Sequence, residues 1–227
     1  MVANTLAVAV ADFGKSAKSK LNNPALTGAP EDQLRAPLET LMRELAALIG
    51  LPPGAVALVG ETTLAHLNSR PDYAVTVHNA LAGFIEVKAP GKGSDPRRFT
   101  DFHDKEQWRK LRLLPNILYT DGDSFTLWRD GELVGKPVAL DGGVEKAGAK
   151  LAAPDHFLQL VADFLKWQPI PPKTPRELAR ITARLCRLLR DEVTEQLARE
   201  NVGLRRLAFD WRALLFPKAD DEQFADG

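Results

Sequence analysis

Two carboxylates and one ammonium group are spaced along the sequence in a way that could bring them together as a catalytic cluster. Glu86 and Lys88 are two residues apart in a short run whose apolar members, Ile85 and Val87, predict a buried β-strand. Since successive side chains of a strand point to opposite faces, Glu86 and Lys88 share one face. Asp72 opens the preceding predicted strand. If the two strands pair as a hairpin, its carboxylate lies beside the end of the next strand.

Such a cluster is suited to metal-assisted hydrolysis. Two carboxylates can bind Mg²⁺ while waters complete its shell, and the cation can activate a bound water and stabilise charge on a phosphate oxygen. Lys88 beside that water could orient it or neutralise the developing charge. The alternative is a salt-bridged surface hairpin without a catalytic role. The apolar neighbours favour the first interpretation, because burying charge on a central strand costs free energy.

Hydrophobic periodicity predicts the elements that must position this cluster. Apolar residues at spacings of three and four predict helices over residues 4–21 and 30–49. Pro37 either kinks the second helix or marks a true start near Ala36. The middle of the chain predicts strands near 55–59, 73–77 and 81–88, a helix over 104–114, and strands near 116–120, 124–128 and 133–140. We therefore expect an α/β fold, with a mixed central sheet flanked by helices and a helical C-terminal extension.

Composition excludes several classes of protein. The 227 residues carry 30 Lys and Arg against 30 Asp and Glu, so the chain is not a polycation that coats nucleic acid by charge alone. No apolar run approaches the ~20 residues that span a bilayer, and no membrane partner is expected. The single cysteine, Cys186, suits a reducing cytoplasm. The N-terminus lacks the basic flank of a signal peptide.

Pro71-Asp72, followed by Glu86-Val87-Lys88, resembles the motif of the PD-(D/E)xK nuclease superfamily, which has the restriction-endonuclease-like fold. The resemblance implies that Asp72 and Glu86 bind Mg²⁺, which Mn²⁺ can replace, and that Lys88 serves the attacking water. It implies a nuclease core over residues 30–150, preceded by a helix within 1–29.

The same resemblance implies further site residues. Many members have a glutamate on the helix before the sheet, for which Glu39 is our choice and Glu44 and Glu61 are alternatives. Many also have a glutamine on the helix that follows the motif, and Gln107 matches that position.

A basic stretch follows the motif. We predict that Lys92, Arg97, Arg98 and Lys105 follow a DNA phosphate backbone beside the site. The alternative is a solvated helix face with pairs of opposite charge.

Residues 83–93, 105–108 and 114–122 resemble more closely the N-terminal nuclease region of fused restriction–modification enzymes, in which an N6-adenine methyltransferase follows. This implies a metal-dependent deoxyribonuclease of the type II or type ISP kind that acts on double-stranded DNA in restriction or phage defence. Residues 151–227 would connect it to methyltransferase and target-recognition domains of a longer chain. The alternatives are a non-cleaving DNA- or partner-binding domain of the same fold, a fragment inactive without those domains, and a hydrolase of RNA or a nucleotide.

Overall fold

The computed structural model describes residues 5–23, 28–60 and 70–168, with isolated positions between 183 and 209. The chain forms two compact units: the first comprises Met1–Leu64 and Asn68–Pro169, and the second Ala65–Leu67 and Ile170–Gly227. The isolated positions described beyond residue 168 are all helical. The candidate site and the elements that support it lie in the first unit.

Six strands and four α-helices form the described part of the first unit. The helices are α1 (Leu6–Leu21), α2 (Pro30–Leu48), α3 (Phe102–Leu111) and α4 (His156–Leu165). The strands are β1 (Val56–Gly60), β2 (Tyr73–Val77), β3 (Ala80–Val87), β4 (Ile117–Thr120), β5 (Ser124–Arg129) and β6 (Glu132–Ala139). No helix within the described ranges is long and apolar enough to cross a bilayer.

The six strands form one mixed sheet in the order β1-β2-β3-β4-β5-β6. Neighbouring strands run antiparallel except β3 and β4, which run parallel because α3 connects them as a crossover. This sheet with its flanking helices confirms the predicted α/β class. It is consistent with the restriction-endonuclease-like core that the sequence resemblance implies.

The two faces of the sheet are covered differently. Ile85 and Val87 of β3 point into an apolar core that α1, α2 and α4 cover. By the alternation of strand side chains, Glu86 points the opposite way. On that face Trp108 of α3 packs edge-on against Tyr119, with ring centroids 5.7 Å apart. Glu86 therefore lies between the sheet and α3.

Helix α2 begins at Pro30 and continues through Pro37. A proline in the first turn is favourable because the backbone N–H there has no acceptor within the helix. Pro37 removes one donor inside the helix, but the apolar stripe that includes Leu38 and Leu41 is fully buried in the core. Packing thus outweighs the lost hydrogen bond, and the alternative start near Ala36 is wrong.

Helix α3 begins at Phe102, before the predicted start at residue 104. The side chain of Asp101 caps it by accepting a hydrogen bond from the Asp104 backbone N–H at 3.2 Å. The early start places Asp104 in the first turn, on the same side of the helix as Gln107.

Helices α1 and α4 both pack on the apolar core, although the predicted boundaries place them outside the nuclease core. Val10 of α1 and Phe157 of α4 are fully buried, and the rings of Phe157 and Phe125 lie 4.7 Å apart. The functional division into residues 1–29, 30–150 and 151–227 stays a prediction.

Candidate active site

Asp72 and Glu86 lie opposite each other where β2 begins and β3 ends. The antiparallel register pairs Tyr73 with Ile85, and continuing it by one residue pairs Asp72 with Glu86. Directly opposed residues of antiparallel strands share a face. Asp72 Oδ2 also accepts the backbone N–H of Val87 at 2.7 Å. The structure therefore brings together the two carboxylates that the sequence predicts as metal ligands.

The ammonium group of Lys88 lies at the centre of a hydrogen-bonded network. Its Nζ donates to Glu86 Oε1 at 2.9 Å, to Asp104 Oδ1 at 2.9 Å and to Gln107 Oε1 at 2.5 Å. The Lys88 side chain is only 9% exposed. Because an ammonium group has three N–H donors, these acceptors use all of them. Gln107, predicted from the sequence, thus lies in contact with Lys88.

Burial dominates the protonation of the site. It raises the pKa of Glu86 from its ordinary 4.5 to about 7; the charge of Asp72 adds to the rise and Lys88 opposes it. Burial also raises the pKa of Asp72, although a backbone amide and a guanidinium oppose it. Burial lowers the pKa of Lys88, but Glu86 and Asp104 outweigh it and the net pKa is raised. Lys88 is therefore a fixed positive charge at neutral pH, not a base.

Glu86 Oε2 and the Tyr119 hydroxyl are buried oxygen atoms of this site that have no hydrogen-bond partner among the described residues. Asp104 Oδ2 has no such partner either, but it lies in the ion pair with Lys92. Glu86 and Tyr119 are register partners on the parallel strands β3 and β4, so their side chains lie side by side. An unpaired buried polar atom costs about 1–3 kcal/mol. A cation or ordered water bound there would remove that cost. No sequence pattern indicates a role for Tyr119, because it looks like an ordinary core residue of an apolar strand.

A divalent cation fits this donor set. Glu86 Oε2 is an uncommitted carboxylate oxygen, and Asp72 supplies the opposing carboxylate. Mg²⁺ is usually held by one or two carboxylates while waters fill the rest of its octahedron. Within the described ranges, no group of three or more His, Cys, Asp or Glu side chains is placed to hold a metal ion.

Glu39, the preferred third acidic residue, has partners outside this network. Its Oε1 accepts the Tyr73 hydroxyl at 3.0 Å, and its Oε2 accepts from the Arg43 guanidinium at 3.0 Å. Glu39 thus contacts Tyr73, which is the residue next to Asp72. The described contacts do not join it to Glu86 or Lys88.

The two alternatives to Glu39 differ in what the structure says of them. Burial raises the pKa of Glu44, and the charge of Asp12 on α1 raises it further. Glu44 is therefore close to α1, and the described contacts do not join it to Asp72 or Glu86. Glu61 lies outside the described residues.

Two charged residues of the site, Asp104 and Arg35, are not among those predicted from the sequence. The Asp104 side chain is only 4% exposed and accepts from Lys88. In the sequence it looks like an ordinary acid in the first turn of a helix, although its i,i+3 spacing from Gln107 was an available signal. Arg35 of α2 lies 2.8 Å from Asp72 Oδ1. The two residues are far apart in the sequence, and no local pattern predicts their contact.

The four basic residues predicted to contact DNA fall into two groups. Lys92 forms an ion pair with Asp104. Arg97 is paired with Asp95 at 2.9 Å and stacks over the Trp128 ring at 4.8 Å. Lys92 and Arg97 keep 38% and 56% of their side chains exposed. The Arg98 side chain is 87% exposed and has only a long contact of 3.6 Å with Asp95, and Lys105 is also exposed.

The chain is similar to a protein in a cryo-EM structure of a DrdV–DNA complex, with 18% sequence identity and a TM-score of 0.47. The alignment covers 98% of this chain and 20% of that chain, so this chain spans about a fifth of the length of the protein that it matches. No protein-family model and no curated protein matches the chain.

Proposed function

We propose that the chain is a Mg²⁺-dependent DNA endonuclease module of a restriction–modification or phage-defence protein. One observation carries the proposal: Asp72 and Glu86 oppose each other across β2 and β3, and Lys88 is hydrogen-bonded to Glu86 on the same face. The resemblance of these residues to the PD-(D/E)xK motif supports the same chemistry.

The two carboxylates have the role of cation ligands in this proposal. Glu86 offers its unpaired Oε2, and Asp72 is held in place by the Val87 amide. Bound Mg²⁺ supplies Lewis-acid chemistry, since it lowers the pKa of a coordinated water and stabilises charge on a phosphate oxygen. The products would be a 5′-phosphate and a 3′-hydroxyl, as the resemblance implies.

Lys88 has the role of a positioned hydrogen-bond donor. It is protonated, so it can orient the attacking water or donate to the negative charge that develops on the phosphate. A reacting atom must replace one of its three acceptors. The Gln107 amide is the weakest of them, because it carries no net charge, whereas an ionised carboxylate adds a Coulomb attraction to the ammonium group. We expect Gln107 to give way while Glu86 and Asp104 keep Nζ in place.

DNA is proposed as the substrate because the closer resemblance is to fused restriction–modification enzymes. The exposed Arg98 and Lys105 would contact phosphates beside the site. Methyltransferase and target-recognition domains of a longer chain would supply sequence specificity. Mg²⁺ would be the cation, and Mn²⁺ could substitute for it.

A plasmid-cleavage assay tests the proposal. Supercoiled DNA is incubated with Mg²⁺ and the wild type, Glu86→Ala or Lys88→Ala, and nicked and linear products are quantified. We expect each substitution to reduce the rate by about 100-fold or more. Glu106→Gln is the matched control, because it removes an exposed carboxylate that pairs with Arg109 on α3. Cleavage that persists in both site variants would show that another protein cuts the DNA.

One observation favours a second candidate function, a DNA-binding domain that does not cut. Arg35 and Lys88 each neutralise one of the two carboxylates, as in a purely structural network. DNA binding without cleavage, by both this chain and a longer chain with its neighbouring domains, would support this candidate. Cleavage by the longer chain alone would show that the module needs its partner domains. RNA and mononucleotide substrates in the same assay test whether DNA is the preferred substrate.

A further inference from the structure

Arg35 is hydrogen-bonded to Asp72, one of the two proposed cation ligands. Its NH2 lies 2.8 Å from Asp72 Oδ1, and its Nε lies 3.2 Å from Asp32 Oδ1 one turn earlier on α2. The Asp72 side chain is 16% exposed and that of Asp32 is 48% exposed. The guanidinium therefore lies between a partly buried carboxylate, to which it donates a hydrogen bond, and an exposed carboxylate, with which it forms an ion pair.

The carboxylates of the site already have cationic partners in the metal-free protein. Asp72 pairs with Arg35, Glu86 with Lys88, and Asp104 with Lys88 and Lys92. A divalent cation that binds Asp72 and Glu86 brings two positive charges next to these partners. Because like charges at these distances repel, we expect a resident cation to move away from the carboxylates.

Arg35 is the resident cation best placed to move. Lys88 is 9% exposed and has acceptors on three sides. Arg35 is 29% exposed and keeps a second acceptor, Asp32, when it leaves Asp72. Lys92 bonds to Asp104, not to either proposed ligand.

We propose that Arg35 competes with the divalent cation for Asp72 and so sets the cation affinity of the site, with Asp32 as the acceptor that receives the displaced guanidinium. The inference rests on the proposed function, since it takes Asp72 and Glu86 as the cation ligands. Arg35 acts on the cation only through Asp72, and its removal should therefore tighten cation binding. Removal of Asp32 has the opposite effect, because the guanidinium then has one acceptor fewer away from Asp72.

Titration of the metal-free protein with Mn²⁺ at constant pH tests this competition. Binding is measured by calorimetry and by the loss of the electron paramagnetic resonance signal of the free ion. We expect Arg35→Gln to lower the Kd for Mn²⁺ about fivefold or more, as removal of a unit charge a few ångströms away predicts. Asp32→Asn should raise the Kd about twofold or more. Arg35→Lys, which keeps the charge, should return the Kd towards the wild-type value.

Arg109→Gln is the matched control for the lost charge, because Arg109 has the same i,i+3 ion pair on α3 and no contact with the carboxylates in the described structure. Its Kd should equal that of the wild type. Thermal unfolding without metal checks that each variant is folded.

The outcomes separate this inference from the proposed function. An unchanged or higher Kd in Arg35→Gln, with normal binding by the wild type and none by Glu86→Gln, overturns the competition and leaves the cation site standing. A lower Kd for Mn²⁺ in Arg35→Gln than in the wild type supports the competition. No Mn²⁺ binding by either protein overturns both.

Discussion

The carboxylate of Asp72 accepts a hydrogen bond of 2.7 Å from the backbone amide of Val87, the residue between Glu86 and Lys88. This contact joins the first half of the motif to the second, although they lie on different strands. The contact also occupies one oxygen of Asp72, but it does not neutralise the negative charge of the carboxylate. The relative position of the two proposed ligands is therefore built into the sheet and does not depend on a bound cation.

The raised pKa of Glu86 makes the metal-free protein less stable as the pH rises. The folded state keeps the proton up to about pH 7, whereas the unfolded chain releases it near 4.5. The folded state binds more protons between these values, so the stabilisation is complete below 4.5 and is lost as the pH rises through 7. This difference corresponds to about 3 kcal/mol, and the raised pKa of Asp72 acts in the same direction.

Urea denaturation of the wild type and of Glu86→Gln at pH 5, 6.5 and 8 measures this effect. The free-energy difference between the two proteins should shift in favour of the variant as the pH rises. Parallel pH profiles would contradict the assigned protonation.

Lys88→Met should destabilise the protein by about 3 kcal/mol, because it leaves the buried Glu86 and Asp104 carboxylates without their shared cation. The comparison is Arg109→Met, which breaks an exposed pair at 3.0 Å and should cost less than about 1 kcal/mol. Chemical denaturation at neutral pH measures both. Equal losses would mean that the Lys88 network contributes no more than a surface ion pair.

Gly83→Ala should destabilise the protein by about 2 kcal/mol. A Cβ at Gly83 would lie 2.6 Å from the Asn116 carbonyl oxygen and 2.8 Å from a ring carbon of Phe164, so β3 or its neighbours must shift. Gly60→Ala on the edge strand is the control, since its nearest neighbour would be 4.0 Å away. A near-neutral effect at both glycines would show that β3 tolerates displacement at this point.

Arg98→Ala should weaken DNA binding without changing the thermal midpoint, because Arg98 is exposed and weakly paired. The slope of log K against log salt should fall by about one if Arg98 neutralises one phosphate. Arg97→Ala should lower the thermal midpoint, since it removes the contact over the Trp128 ring. An unchanged salt slope in Arg98→Ala would exclude it from the DNA interface.

Local patterns predicted most of the architecture. Strand alternation placed Glu86 and Lys88 on one face, and apolar periodicity predicted the six described strands and helices α1, α2 and α3 with small errors at the ends. These features depend on neighbours in the sequence, which is why they can be predicted. The predicted bounds of helix α3 were the least accurate, because the Asp101 cap makes the helix begin before its apolar stripe.

The partners of the site residues depend on the tertiary structure and were harder to predict. The Arg35–Asp72 pair joins α2 to β2, and no pattern within either element indicates it. Lys92 and Arg97 look like free basic residues in the sequence, but the folded chain supplies a carboxylate for each. Glu39 has the expected position on α2, yet Tyr73 and Arg43 bind its carboxylate.

Anomalous diffraction from crystals soaked in Mn²⁺ tests the central claim most directly. The account predicts one strong peak within about 2.0–2.6 Å of oxygen atoms from both Asp72 and Glu86, and no such peak in Glu86→Gln crystals. Carboxylates that bind no Mn²⁺ at saturating concentration, or a peak held by other residues, would contradict it.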